Sequence, residues 1–130
     1  MASIFTKIIQ GEIPCHKIAE NDSCIAFLDI SPLQKGHTLI IPKREVDYIF
    51  DLEDSELAEL MSFAKQVSKG IKSSFDCNRV GVTVIGLEVP HAHIHLIPII
   101  KESDMSFAQS KMQPSNDELA EIAEKIKSKL

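Results

Sequence analysis

Three of the five histidines in this 130-residue chain stand at alternate positions, His91, His93 and His95. In an extended strand, alternate side chains share a face. The three imidazoles therefore line one face, and Ala92, Ile94 and Leu96 line the other. The second face is apolar and suits packing on a helix. No hydrophobic core requires a row of imidazoles. Three kinds of chemistry fit such a row. The plainest is a surface strand whose polar face is histidine, yet histidine is an uncommon residue. A second is metal binding, since two histidines at i and i+2 can share a zinc ion. All three would span about 13 Å at ~3.3 Å per residue, too far for one ion with ligands at about 2 Å. Further ligands would be needed, and the motif holds no Asp or Glu. The third is nucleophilic catalysis: a central imidazole attacks phosphorus while its neighbours bind the oxygens and set its tautomer.

The elements that must hold this strand are legible around it. Ser3 is placed to cap a short helix running to Gln10, closed by Gly11. Extended segments are expected at His16–Ala19 and Ser23–Leu28, joined by the turn residues Asn21-Asp22. A loop marked by Ser31-Pro32 and Lys35-Gly36 leads into the β-rich run His37–Ile41, stopped by Pro42. The periodicity predicts a helix over Asp54–Ser73, with Leu57, Leu60, Met61, Ala64, Val67 and Ile71 as its buried stripe and Gly70 as an interruption of modest cost. Strands are expected at Arg79–Ile85 and Pro90–Pro98. A last helix starts at the capping box Ser115/Glu118 and buries Leu119, Ile122, Ala123, Ile126 and Leu130. Its other face, with Glu121, Glu124 and Lys125, reads as solvated surface. Strands paired by turns with helices inserted make an antiparallel α+β domain.

Composition narrows the partners. The length fits one domain over residues 1–130. Net charge is −5, from 14 basic and 19 acidic residues, and no basic face stands out for a long nucleic acid. A single nucleotide is compatible, because backbone amides and a few histidines suffice for a small anion. No apolar run suits a membrane span, and Met1–Lys7 does not read as a secretory leader. Cys15, Cys24 and Cys77 form neither a disulfide framework nor a CxxC metal site, which fits a reducing cytoplasm.

The run His91-Ala92-His93-Ile94-His95-Leu96-Ile97 resembles the HxHxH signature of the histidine triad (HIT) superfamily. Ile4–Pro14, Ala26–Pro32 and Gly36–Lys43 resemble that family's N-terminal segment, its nucleoside-binding strand and the strand carrying a fourth histidine. The resemblance implies a HIT-like antiparallel sheet with one long helix and short N- and C-terminal helices. It implies homodimers whose sheets join across the interface, no cofactor, and nucleotide hydrolysis or transfer. His93 would be the nucleophile. His95 would contact the phosphate and assist the leaving group, while His91 and His37 would orient the ring of His93. Asp29 would accept hydrogen bonds from the ribose hydroxyls, and Ile4, Phe5, Phe27 and Ile30 would wall the base. Without the family, Phe27 and Ile30 read as core, and Asp29 as an edge or turn residue.

The chain also departs from that pattern. Many bacterial relatives hold a structural zinc with an N-terminal CxxC and two histidines. Here Ser3 and Thr6 stand at the cysteine positions and Glu45 at one histidine position, so no structural zinc is expected. The Gly-rich loop before the triad is shortened to Gly86-Leu87-Glu88-Val89. Glu88 falls where a phosphate-binding hydroxyl is usual, and Glu88 and Val89 join the substrate-binding candidates. The expected function is hydrolysis at the α-phosphate of a purine nucleoside phosphoramidate or dinucleoside polyphosphate, through a nucleotidyl-histidine. The alternative is a nucleotide-binding or interaction protein with little turnover.

Overall fold

A computed structural model describes residues 2–130; Met1, the first residue of the segment read for a leader, lies outside the described residues. Helix α1 (Ile4–Ile9) begins the chain, with the Ser3 hydroxyl accepting from the Thr6 amide as its cap. Strands β1 (Lys17–Glu20) and β2 (Cys24–Leu28) follow. The turn between them is held by Asn21, whose side-chain oxygen accepts from the amides of Ser23 and Cys24. Strand β3 (Thr38–Pro42), helix α2 (Asp54–Ser74), strands β4 (Arg79–Thr83) and β5 (Ile94–Ile99) and helix α3 (Asn116–Lys127) complete the regular elements, with two short 3₁₀ turns at Ile49–Asp51 and Glu102–Met105.

The five strands form one antiparallel sheet in the order β1-β2-β3-β5-β4. This is the expected α+β architecture. The two faces of the sheet are covered unequally. Ala26, Leu28, Ile40, Ile94 and Leu96 point into the main core beneath α2 and α3. Ile25, Phe27, Leu39 and Ile41 point the other way, into a smaller cluster closed by Phe5 of α1. Helix α2 has 21 residues and α3 has 12, whereas α1 has six. One face is therefore roofed and the other is only partly covered. Leu39 pairs with His95 across β3 and β5, so His95, the one histidine within β5, stands on the thinly covered face. Among the described residues no helix is long and apolar enough to cross a membrane.

Several expectations shift in detail. Met61 is half exposed, and Phe63 fills the helix–sheet core in its place, because the buried stripe runs through Leu60, Phe63, Ala64, Val67 and Ile71. Leu130 is likewise half exposed. It ends against Gly70, where an added Cβ would lie 2.7 Å from Leu130 Cδ2 and 3.0 Å from the Ile126 carbonyl oxygen. Gly70 is thus a point of close helix approach, which the sequence showed only as a weakness in the helix. Strand β4 ends at Thr83 rather than Ile85, and β5 starts at Ile94 rather than Pro90. The His91 and Ala92 amides are instead bonded to the Val89 and Val46 carbonyls, outside the ladder.

Gly36 delivers the chain into β3 beside His37. Its φ is +94°, and a Cβ there would lie 2.5 Å from Cε2 of Phe75. Gly36→Ala is expected to cost about 1–3 kcal/mol, the usual scale of a strained positive φ, with the ring clash added. Denaturant unfolding checks this; a midpoint equal to the wild type would show that the turn tolerates a side chain.

Candidate active site

The chain from His91 to His93 lies outside the regular ladder. It is held by a hydrogen bond from the Ala92 amide to the Val46 carbonyl and by a tight turn in which the His91 amide donates to Val89. The alternation expected from the sequence survives. Ala92, Ile94 and Leu96 are in the main core, and His91, His93 and His95 face the other side, all three nearly inaccessible. His37, from the start of β3, joins them.

The partners of each ring decide where its proton sits. A carbonyl can only accept, and an amide can only donate. Nδ1 of His93 lies 2.7 Å from the His91 carbonyl oxygen and must carry a hydrogen. In the neutral ring Nε2 is then left with a lone pair. Nε2 of His91 lies 2.8 Å from the Pro42 carbonyl oxygen and donates to it. Its Nδ1 therefore accepts, from the Ser3 hydroxyl at 2.8 Å. Nδ1 of His37 accepts from the Leu33 amide at 3.1 Å. Nε2 of His37 thus holds the hydrogen and donates to Nδ1 of His95 at 2.9 Å. That leaves Nε2–H of His95 as a free donor. The outcome is one bare nitrogen on His93 beside one N–H on His95, with ring centroids 4.9 Å apart.

Asp29 completes this end of the site. One carboxylate oxygen accepts from the Ser31 amide at 2.8 Å, and the other lies 3.7 Å from Nε2 of His37. Asp29, His37 and His95 cluster tightly enough to suggest a metal site. The tautomers argue against it. The Leu33 amide keeps the hydrogen of His37 on Nε2, which would be the ligand atom, and that nitrogen has no lone pair to give.

The second cluster considered for metal, at the N-terminus, is also a hydrogen-bonded one. Ser3, Thr6 and Glu45 converge on Nδ1 of His91, at 2.8, 3.3 and 3.9 Å. Two hydroxyls, a carboxylate and an imidazole are a poor match for the thiolate and imidazole ligands of structural zinc. The hydroxyl of Thr6 is already donated to Glu45, at 2.6 Å.

The apolar candidates divide. The Phe5 ring stands edge-on to His93 with centroids 5.0 Å apart, and edge-on to Phe27 at 5.7 Å. Phe27 itself is buried with Ile25, Leu39 and Ile41, so it supports the site from the core. Ile4 and Ile30 are half or more exposed, on α1 and in the loop after β2. Val89 is half-buried against the smaller cluster, whereas Glu88 is exposed. The Glu88 charge is nevertheless among those that raise the Asp29 carboxyl, behind the larger effect of burial.

Two neighbours of the site had no signal in the sequence. Phe107 packs edge-on against His95, with centroids 5.1 Å apart, and lies 6.2 Å from His37. Lys111 carries a charge felt at Asp29, His37 and His95. Both lie in an irregular segment tied to the Asp29 loop by the Met112 amide, which donates to the Pro32 carbonyl at 2.9 Å. No periodicity or motif marks such a segment.

A HIT domain family model matches residues 10–102 of the chain. The adenosine 5′-monophosphoramidase of Schizosaccharomyces pombe is 34% identical, over 100% of this chain and 99% of that protein. An adenylylsulfatase of Arabidopsis thaliana is 35% identical, over 85% of this chain and 58% of that protein. The crystal structure of a HIT-like protein from Bartonella henselae superposes with a TM-score of 0.87 at 30% identity, covering 98% of this chain and 96% of that one.

Burial disfavours the charged imidazole. It pulls His37 down to about 3 and His95 down to about 4, each helped by the positive charge of its neighbours, and it lowers His91 as well. The unfolded chain titrates these rings near 6.5. Unfolding therefore takes up protons below that pH, so their contribution to stability is fully present above 6.5 and is lost as pH falls through 4 toward 3. Asp29, raised by burial, acts in the opposite sense, one group against three. The urea midpoint is expected to be clearly lower at pH 4.5 than at pH 7. Equal midpoints would mean that the rings are not held neutral.

Proposed function

We propose that this chain, which belongs to the HIT family, hydrolyses purine nucleotides at the α-phosphate through a nucleotidyl intermediate on His93. The observation that carries the reading is the fixed tautomer of His93: the His91 carbonyl holds Nδ1–H and leaves Nε2 as the bare nitrogen. Nε2 attacks the α-phosphorus, the N–P bond forms, and the bond to the leaving group breaks. The positive charge that develops on the ring is stabilised at Nδ1–H by the same carbonyl. His95 donates its free N–H to a phosphate oxygen or to the leaving atom, and His37 fixes that donor in place. Water then attacks phosphorus, releases the nucleoside monophosphate and restores the neutral ring.

The substrate class follows the same reading. Two relatives are named as an adenosine 5′-monophosphoramidase and an adenylylsulfatase, which supports a nucleotide substrate. A phosphoramidate or a dinucleoside polyphosphate of a purine nucleoside fits the chain's own site. Asp29 receives the ribose hydroxyls on the oxygen that Ser31 leaves free. Ile4, Ile30 and Phe5 flank the base, with Phe27 behind Phe5, and Val89 and Glu88 border the phosphate. Lys111 supplies a positive charge on this side of the site. The alternative, nucleotide binding with little turnover, is supported by one observation: the loop before the triad is shortened to Gly86-Leu87-Glu88-Val89, with a carboxylate where a phosphate-binding hydroxyl is usual. His93→Ala separates the two. It is expected to lower hydrolysis of an adenosine phosphoramidate by several powers of ten while adenosine monophosphate still binds. A mutant with near wild-type turnover would exclude the mechanism.

The chain acts in this reading as one HIT domain that pairs with a second copy. Strand β4 is an edge of the sheet. Beside it lies an apolar groove against α2, lined by Ala58, Met61, Val80 and Val82. Met61 and Val82 are left exposed there, and burying such a patch favours association. Light scattering at micromolar concentration is expected to give twice the 14.5 kDa of one chain. The monomer mass would refute the pairing.

A further inference from the structure

Glu45 lies outside every role assigned so far, yet it organises the back of the site. One of its oxygens, Oε1, accepts from the Ser3 amide at 2.6 Å and from the Thr6 hydroxyl at 2.6 Å. The donors are the cap and a first-turn residue of α1, 42 and 39 residues away in sequence. The carboxylate thereby takes the only hydroxyl hydrogen of Thr6. Thr6 would otherwise compete with Ser3 for Nδ1 of His91, 3.3 Å away. With Thr6 engaged, Ser3 is left to donate to that nitrogen at 2.8 Å. The Ser3 hydroxyl oxygen accepts in turn from the Thr6 amide at 3.1 Å. His91 is thus held at both ring nitrogens, by Ser3 and by the Pro42 carbonyl. Its backbone carbonyl is the acceptor that fixes His93. The same helix turn carries Phe5, whose ring abuts His93 and His91.

We propose that Glu45 is a positioning residue. Through Ser3 and Thr6 it locks α1 onto His91 with hydrogen bonds alone, and through the His91 carbonyl it holds His93 in its nucleophilic tautomer. The tether occupies the place where a structural ion would otherwise be needed to pin the N-terminal segment to the sheet. The hydrogen-bond inventory closes without one. Ser3 N–H, Thr6 O–H, Ser3 O–H and His91 Nε2–H each have an acceptor, and none of the buried side-chain polar atoms described lacks a partner. Charge helps, since a carboxylate is a stronger acceptor than a neutral group, and these hydrogen bonds hold the Glu45 carboxyl down at about 2. Glu45 is therefore ionised over the whole range in which the protein would work.

The consequence for rate rests on His93 being the nucleophile, so the test reads the tether and the rate separately. Nitrogen NMR of the imidazole rings, without substrate, reports tautomers whatever reaction the site performs. The wild type is expected to show His93 protonated at Nδ1 and His91 at Nε2. Glu45→Ala is expected to mix the His93 tautomers and to lower kcat by about ten- to a hundredfold, the scale of a misplaced reacting group. Affinity for adenosine monophosphate should stay within about threefold, since truncating a positioning residue removes little ground-state binding. Glu45→Gln keeps the accepting oxygen and is expected to recover most of the rate. Thr6→Val removes only one link and should shift the His93 signals in the same direction by less. Unchanged imidazole signals and wild-type kcat in Glu45→Ala would overturn the proposal. An equal loss in Glu45→Gln would overturn it too, because accepting geometry would then not be what matters. Failure of the nucleophile reading shows elsewhere, as turnover surviving in His93→Ala.

Discussion

One hydrogen bond organises the rest of the site: Nδ1–H of His93 to the carbonyl of His91, at 2.7 Å. An isolated neutral imidazole exchanges its proton between two nitrogens, and in one of the two tautomers Nε2 has no lone pair to offer. A backbone carbonyl two residues earlier removes that freedom, because it cannot donate. The carbonyl is useful only if the peptide that carries it is rigid. The structure fixes it from several sides. The His91 amide and the Ala92 amide are bonded to Val89 and Val46. The His91 ring is bonded at both nitrogens. Ala92, on the opposite side, is packed in the main core.

The location of the site follows from the unequal covering of the sheet. Two helices of 21 and 12 residues seal one face, and the histidines take the other, under a helix of six residues. Burial there is deep enough to keep His37 and His95 neutral well below their usual range. It is also thin enough that Phe5 and Phe107 meet the rings edge-on, at 5.0 Å from His93 and 5.1 Å from His95. Neutral rings matter for this chemistry. A protonated His93 has no lone pair to attack with, and a protonated His37 would lose the acceptor that the Leu33 amide requires.

The parts of this arrangement that repeat in sequence were legible in it. Period-two alternation placed His91, His93 and His95 opposite Ala92, Ile94 and Leu96, and the fold keeps that division. Helical spacing found α2 to within a residue and the start of α3 likewise, although Met61 fell on an exposed edge of its stripe and Leu130 lies beyond the end of α3 at Lys127. What could not be read is what depends on non-local contact. Glu45 looks like an ordinary surface acid until α1 folds back over it. Phe107 and Lys111 sit in a segment without periodicity, which contacts such as the tie between Met112 and Pro32 and the packing of Phe107 on His95 bring to the site. Gly70 reads as a helix defect because the residues it accommodates, Ile126 and Leu130, lie more than fifty residues later.

The central claim, that Nε2 of His93 forms a bond to phosphorus, is tested most directly by trapping the intermediate. The protein would be mixed briefly with an adenosine phosphoramidate in slight excess and quenched in alkali, where a phosphorus–nitrogen bond of this type survives. Intact mass and peptide mapping would then locate the adduct. The account predicts one adenylyl group per chain, on His93, appearing before free nucleoside monophosphate and absent from His93→Ala. Turnover with no adduct at any time, or an adduct on another residue, would contradict it.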